Sequence, residues 1–453
     1  MRKKIFRWVV LAFIFSIPFG TKKFLFSFAA PFENFYTHEY AAAFLFGTDL
    51  LVFAVLFMFW FVAWRSVINK SDLSYGTDKI GMWCRTNRAG CLLGAFLFLA
   101  LLSIVFADYP AFAWYSFLRL ALAVSAGYAL AWAVRARVVA VRHLMSAFAL
   151  SAVFQSLVAF FQFGFQKSAG LWWLGETTVL GPSTPGVASI AADGMRFLRA
   201  YGTLSHANIL AGFLILGLLA LSYLFLIAEK TRGRALAVAG IVAVETGLLL
   251  TFSRSGWIVA ALALAAFFVF ALTRATYRPR ALSLLFSVVF SLTLLIGALQ
   301  FAVLPRARLV TDEGPVSDRW RMNKLSVALV VERPWGVGIG NELFFAYDHD
   351  RFREFELPAR GQWQPTHNLF LLIGSEIGIV GLIAFLFFVF ILLFENLKLK
   401  IENSIVALML CALLLFGLLD HFLLDLHAGR LMLWAIIGMA MGARNTPQER
   451  VIA

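Results

Sequence analysis

Three side chains far apart in the chain have types that together suit a transfer reaction. Arg199 lies in Leu198-Arg199-Ala200-Tyr201-Gly202-Thr203, Arg254 in Phe252-Ser253-Arg254-Ser255, and His367 in Thr366-His367-Asn368. Two guanidinium forks present several planar donors each and suit phosphate oxygens. A neutral imidazole accepts a hydroxyl proton near neutral pH. The trio therefore describes displacement of a diphosphate leaving group by an alcohol. Each residue alone carries a plainer reading, because an arginine at the end of a membrane span commonly snorkels into headgroups.

Other polar residues could join or compete. His206 and Asn208 lie close in sequence to Arg199, Asn368 follows His367, and Asp420 sits where an apolar run ends. Arg119 lies deep in an apolar run, an expensive place for a charge. It could bind lipid phosphate, snorkel, or pair with Glu376. Asp348-His349-Asp350 has the form of a metal-holding triplet, though solvated surface explains it, and Asp420, His421, Asp425 and His427 have metal-like spacing but sit in a short turn where water and Arg430 could satisfy them. No metal and no cofactor is expected. Gln155, Gln162 and Gln166 share one helical face and could line a groove or bind a neighbouring segment.

The elements that must position these groups are membrane helices. Of 453 residues, 61% are hydrophobic and 14% charged, with 48 Phe and 13 Trp. Apolar runs near the roughly 20 residues that cross a bilayer core recur along the chain. The reading is an all-α polytopic membrane protein in one domain over 1–453. About twelve spans fall near 6–20, 41–62, 91–107, 111–134, 143–165, 207–228, 235–252, 256–273, 281–304, 368–394, 403–420 and 429–443. The first run resembles a signal peptide without a clear cleavage site, so it is taken as a retained span. Cys84, Cys91 and Cys411 form no disulfide or metal pattern.

With the amino terminus inside, 22 of the 39 basic residues fall on inner segments, among them Lys70, Lys79, Arg85, Arg135, Arg137, Lys230, Arg232, Arg234, Arg274, Lys398, Lys400, Arg444 and Arg450. The positive-inside rule then puts both termini in the cytoplasm. The formal charge of +14 is mainly a topology signal, not a sign of nucleic acid. Two outer segments remain: a large periplasmic loop over 305–366 and a smaller one over 166–205, the second surface-lying or re-entrant. In the large loop, Ser317-Asp318 should cap a short amphipathic helix bearing Trp320, Leu325 and Leu329, which Pro334-Trp335-Gly336-Val337-Gly338-Ile339-Gly340 breaks. From His367, the positions Leu371, Gly374, Gly378 and Gly381 make one helical stripe. It would run unbroken to Phe394, with Gly374 and Gly378 admitting a neighbouring helix.

Thr366-His367-Asn368-Leu369-Phe370, with Glu376-Ile377-Gly378-Ile379-Val380-Gly381-Leu382, resembles the signature of the O-antigen ligase and O-antigen polymerase superfamily. Leu198 to Thr203, the Ser253-Arg254 turn and Trp335 to Asn341 are similar too, and the resemblance covers roughly 195–430. It implies a GT-C-like, metal-independent, inverting membrane glycosyltransferase of the bacterial inner membrane, with a periplasmic active site. The donor would be an undecaprenyl-diphosphate-linked glycan and the acceptor a lipid A-core hydroxyl, with membrane lipids the remaining partners. His367 would be the general base, Arg199 and Arg254 the diphosphate ligands, and Asp420 an acidic position implicated in some ligases. Ligation is preferred because the chain has no appended soluble domain. Polymerisation of repeat units and transfer to protein hydroxyls share the same site chemistry. A lipid-linked oligosaccharide flippase is the non-enzyme rival, but transporters gather polar groups near the midplane in repeated halves. Here those groups lie at span ends.

Overall fold

The structure is a computed structural model and describes residues 1–28, 39–68, 88–192, 194–307, 314–357, 363–397 and 401–443. Lys70, Lys79, Arg85, Lys398, Lys400, Arg444, Arg450 and Cys84, used in the sequence reading, lie outside these residues. The helices run in the order α1 (Arg2–Ser16), α2 (Gly47–Ile68), α3 (Arg88–Ser103), α4 (Pro110–Arg135), α5 (Val141–Phe165), α6 (Ala207–Ile227), α7 (Thr231–Leu250), α8 (Arg254–Leu272) and α9 (Arg278–Ala298). They continue with α10 (Gln300–Ala307), α11 (Gly314–Glu332), α12 (Glu342–Asp348), α13 (Arg351–Glu354), α14 (Leu369–Ile377), α15 (Ile379–Leu397), α16 (Ile401–Gly417), α17 (Phe422–Asp425) and α18 (His427–Ala443). The described residues also form two antiparallel strand pairs, β1 (Lys22–Ser27) with β2 (Ala42–Phe46) and β3 (Ser189–Ala192) with β4 (Met195–Leu198), and 3-10 turns at Ile104–Phe106 and Trp172–Leu174.

Eight of the helical segments are long and apolar enough to cross a membrane, and Gly47–Ala63 and Ile401–Gly417 are shorter apolar helices. Each expected span overlaps helix, but the tenth, 368–394, is two helices, and α1, α16 and α18 have only 15, 17 and 17 residues. The second span begins later than expected, because 42–46 is a strand and not the first turn of a helix. In its Ala-Ala-Phe-Leu-Phe sequence only the two phenylalanines favour strand, and that preference depends on context, so pairing with 22–27 decides its state. Cys91 is disulfide-bonded, which corrects the expectation of unpaired cysteines, while Cys411 is free. Spacing in sequence does not reveal such proximity.

The centre of the bundle is α6, nearly all of whose residues are buried. A helix apolar on every side belongs inside a bundle. Around it pack α5, α7, α8 and α16, while α18 lies along α4. There Gly127 and Gly438 bring two backbones together: a Cβ on Gly438 would stand 2.2 Å from the Gly127 carbonyl oxygen. Such small-residue seams drive helix association where lipid supplies no hydrophobic force.

The segment between α10 and α14 is a folded cap with its own apolar core, including Met322, Leu325, Leu329, Val337, Leu343 and Phe352. Two details differ from expectation. Helix α11 starts at Gly314, so Ser317 lies within it and is not its cap, and Trp320 is exposed. The helix from His367 is also not continuous. Asn368 caps α14, Gly378 interrupts the chain with φ +88, and α15 starts at Ile379. The Pro334–Gly340 segment enters this break. Val337 and Gly338 N–H donate to the Ser375 and Glu376 carbonyls at 2.8 and 3.0 Å, and Ile379 N–H donates to the Pro334 carbonyl at 2.9 Å. Of the two notch glycines, Gly374 meets a neighbouring helix as expected, at Val330 of α11, whereas Gly378 admits the Pro334–Trp335 loop.

Candidate active site

Chain direction places the starts of α4, α6, α8 and α14 at one end of the bundle and the basic turns Arg135–Arg137, Lys230–Arg234 and Arg274–Arg280 at the other. At the first end, Asn208 in the opening turn of α6 is the hub. Its Oδ1 accepts from Arg199 Nη2 at 2.8 Å and from Ser253 Oγ at 3.0 Å. Its Nδ2 donates to Asp420 Oδ2 at 2.8 Å. The same contacts bring Arg199 beside the turn that carries Arg254, half-buried at the first position of α8.

Arg199 is held from behind. Its Nε donates to the Thr251 carbonyl at 2.7 Å, and the backbone on either side is fixed by two glutamines of α5 and by Gln166, which caps it. Gln166 accepts from Leu198 N–H at 2.7 Å. Gln162 accepts from Tyr201 and Gly202 N–H, each at 2.9 Å, and Gln155 pairs twice with Thr203. Of the two sequence readings of these glutamines, the structure takes the second: they bind a neighbouring segment.

His367 stands between the cap and α14. Thr366, just before it, donates its N–H to Glu342 Oε2 at 2.9 Å and its hydroxyl to the Met322 carbonyl at 2.9 Å. Glu342 also accepts from Ser326 of α11 and from Ser375 of α14, so one buried carboxylate ties three elements together behind the histidine. Nothing in the sequence marked Glu342 among the loop's nine carboxylates. The His367 ring meets His421 edge-to-face, with centroids 4.8 Å apart. Burial, reinforced by the His421 charge, pushes the His367 pKa well below its ordinary value and keeps the ring neutral. Its Nδ1 is buried without a hydrogen-bond partner among the described residues, so no protein contact fixes which ring nitrogen bears the proton.

The surrounding field is cationic. Burial lowers Arg199 to about 9, and the charges of Arg306 and Arg319 add to the shift. Arg306 reaches the same turn, donating to the Phe252 carbonyl at 3.2 Å. The Arg319 charge acts on His367, Asp420 and His206 as well. Sequence reasoning missed both residues, because nothing separates them from the loop's other basic side chains until α10 and α11 fold back. Asp420 is the buried counter-charge. Burial alone would favour its neutral form, but His421, His367 and Arg319 hold its pKa below the usual carboxylate range.

The remaining candidates divide. His206 caps α6, its Nδ1 accepting from Asn208 N–H at 3.1 Å. Asn368 has both side-chain groups engaged, Oδ1 on the Phe370 and Leu371 N–H and Nδ2 on the Leu418 carbonyl. Arg119 joins a separate cluster: it pairs with Asp49 at 2.8 Å and donates to His427, and Glu376 instead accepts from the Gly340 and Glu342 backbone. His427 therefore turns away from Asp420 and His421. Among the described residues no group of three or more His, Cys, Asp or Glu gathers as a metal site. His349 stacks on Phe345 and faces Asp108 at 3.2 Å.

Comparison with known families bears on this arrangement. Residues 239–386 match the O-Antigen ligase family model. The match supports the O-antigen ligase superfamily and, in general terms, a membrane glycosyltransferase of ligase or polymerase type acting on a lipid-linked glycan and an acceptor. It takes in Arg254, Arg306, Arg319 and His367, while Arg199, His206, Asp420 and His421 lie outside the matched residues. Comparison with curated proteins gave no match.

Proposed function

We propose that the protein moves a glycan from undecaprenyl diphosphate to a hydroxyl of a lipid A-core acceptor, with inversion at the sugar carbon. The observation that supports this reading is a polar network drawn from segments far apart in sequence: Asn208 joins Arg199, Asp420 and the Ser253 turn that carries Arg254, Arg306 reaches that turn, and Asp420 and the Arg319 charge act on a neutral His367. A group of like charges around one carboxylate is costly unless a polyanion joins it. A diphosphate is such an anion, and guanidinium forks match its oxygens.

His367 takes the proton of the acceptor hydroxyl, the oxygen attacks the anomeric carbon, and the diphosphate leaves into the arginines. Charge placed where negative charge develops contributes on the order of 3–4 kcal/mol per donor. The basic turns at the opposite end of the bundle support a site on the non-cytoplasmic face, which in a bacterial inner membrane is the periplasm. The cap then lies in the periplasm with the site.

The test is transfer by purified protein supplied with undecaprenyl-diphosphate glycan and either a lipid core or a second lipid-linked glycan. His367→Ala and Arg254→Ala are expected to abolish product while the protein stays folded, and Arg254→Lys to be poor because an ammonium lacks the fork. Normal product from either alanine variant removes the assignment. Extension of the second lipid-linked glycan instead of the core makes the protein a polymerase.

A further inference from the structure

His421 is the better-built histidine of the site, although its spacing suggested only a short turn satisfied by water and Arg430 or a metal ligand. Its Nδ1 meets Asp425 Oδ2 at 2.7 Å, and Arg430 holds that turn by donating to the Leu424 and Asp425 carbonyls at 2.7 and 2.9 Å. The His421 N–H donates to Asp420 Oδ1 at 2.9 Å, and Asp420 leads through Asn208 to Arg199. A histidine whose Nδ1 is fixed by a carboxylate presents Nε2 in a set tautomer, the arrangement of general acid–base dyads. His367, 4.8 Å away, has no such partner.

We propose that His421, positioned by Asp425, is a second catalytic residue of the same transfer, acting as the acid that protonates the departing diphosphate. The inference rests on the function proposed above. As the bond between the anomeric carbon and the phosphate oxygen breaks, its electron pair stays on that oxygen, which takes the Nε2 proton of His421. The acceptor oxygen bonds to the carbon and its proton passes to His367. Imidazolium His367 then faces neutral His421, and transfer of one proton between them restores the starting state. A terminal phosphate ionises near pH 6, within reach of an imidazolium.

The surroundings suit a charged His421. Burial favours its neutral form, but the contact with Asp425 and the charge of Asp420 overcome this and raise its pKa above the usual value. The other groups facing it are Glu342 from α12, His367, His206 from the α6 cap, and the Tyr40 ring at 5.7 Å.

The experiment is the pH dependence of kcat and KM for the full chain with undecaprenyl-diphosphate glycan as donor, comparing wild type, His421→Gln, Asp425→Asn and His367→Ala. His421→Gln is expected to lower kcat about 100-fold or more with little change in donor KM, the scale of general acid catalysis. Asp425→Asn should keep partial activity and move the alkaline limb to lower pH, because the carboxylate that holds the proton is gone. A wild-type profile for His421→Gln, a loss confined to KM, or an unmoved alkaline limb in Asp425→Asn overturns the proposal. If His421→Gln does not fold, the Asp425→Asn limb decides alone. No product from wild type refutes the underlying function, whereas an active wild type, an inactive His367→Ala and a normal His421→Gln refute only this inference.

Discussion

At the scale of single residues, the site depends on groups whose charge state is set by their surroundings. His206 is the simplest to test. Burial, with the Arg199 charge, lowers its pKa to about 3, against about 6.5 in an unfolded chain. Below pH 6.5 the unfolded state therefore binds a proton that the folded state refuses, and stability falls as pH drops from there toward 3. Protonation also removes the acceptor that caps α6. His206→Asn keeps a capping oxygen without that titration, so the loss of melting temperature between pH 7 and 5 should be smaller than in wild type. Equal slopes contradict this account. The sequence made His367, Arg199 and Arg254 legible because each stands where an apolar run meets polar chain. Arg306, Arg319 and Glu342 were not legible, since their roles arise only when the cap folds onto the bundle. His421 was visible, and Arg430 does hold its turn as expected; the Asp425 partner four residues on was not legible, because spacing alone does not show which side chains of a one-turn helix meet.

At the scale of elements, the break between α14 and α15 is where sequence periodicity misled. A stripe at helical spacing predicts a continuous helix, but Gly378 at φ +88 and ψ 166 occupies backbone space that L side chains avoid. A Cβ there would also stand 2.7 Å from the Pro334 carbonyl oxygen. Gly378→Ala should therefore destabilise by roughly 1–3 kcal/mol from backbone strain, with more from the clash. It should also lower kcat by loosening the segment that follows His367. Gly164→Ala, inside α5 with open space around it, is the matched control and should not lower the melting temperature, since alanine favours helix over glycine. Equal thermal shifts for the two variants refute the argument. The helices themselves were legible almost throughout, because runs of apolar residues of membrane length admit one local structure. The β1–β2 strand pair was not, since Ala42–Phe46 reads as the start of a span until its pairing partner is known.

At the scale of the whole molecule, a second polar cluster lies beside the site, where Arg119, Asp49 and His427 join α4, α2 and α18. Both charges of the ion pair are well buried, at 11% and 1% side-chain exposure. Removing one partner strands the other, which costs about 3–5 kcal/mol, whereas removing both can be nearly neutral. Arg119→Ala should thus melt well below wild type in detergent, and Arg119→Ala with Asp49→Asn should recover part of the loss. No recovery in the double variant counts against an ion-pair role. The interrupted helix has one more consequence, for how such proteins can be recombined. Residues 334–340 and 375–379 are stitched by backbone hydrogen bonds, so the cap and the membrane helix below it form one heritable unit. A chimera that imports a relative's loop and stops at residue 366 separates the two halves of that seam. The natural junction for exchange lies past Gly381, within α15, where donor and recipient meet as plain helix.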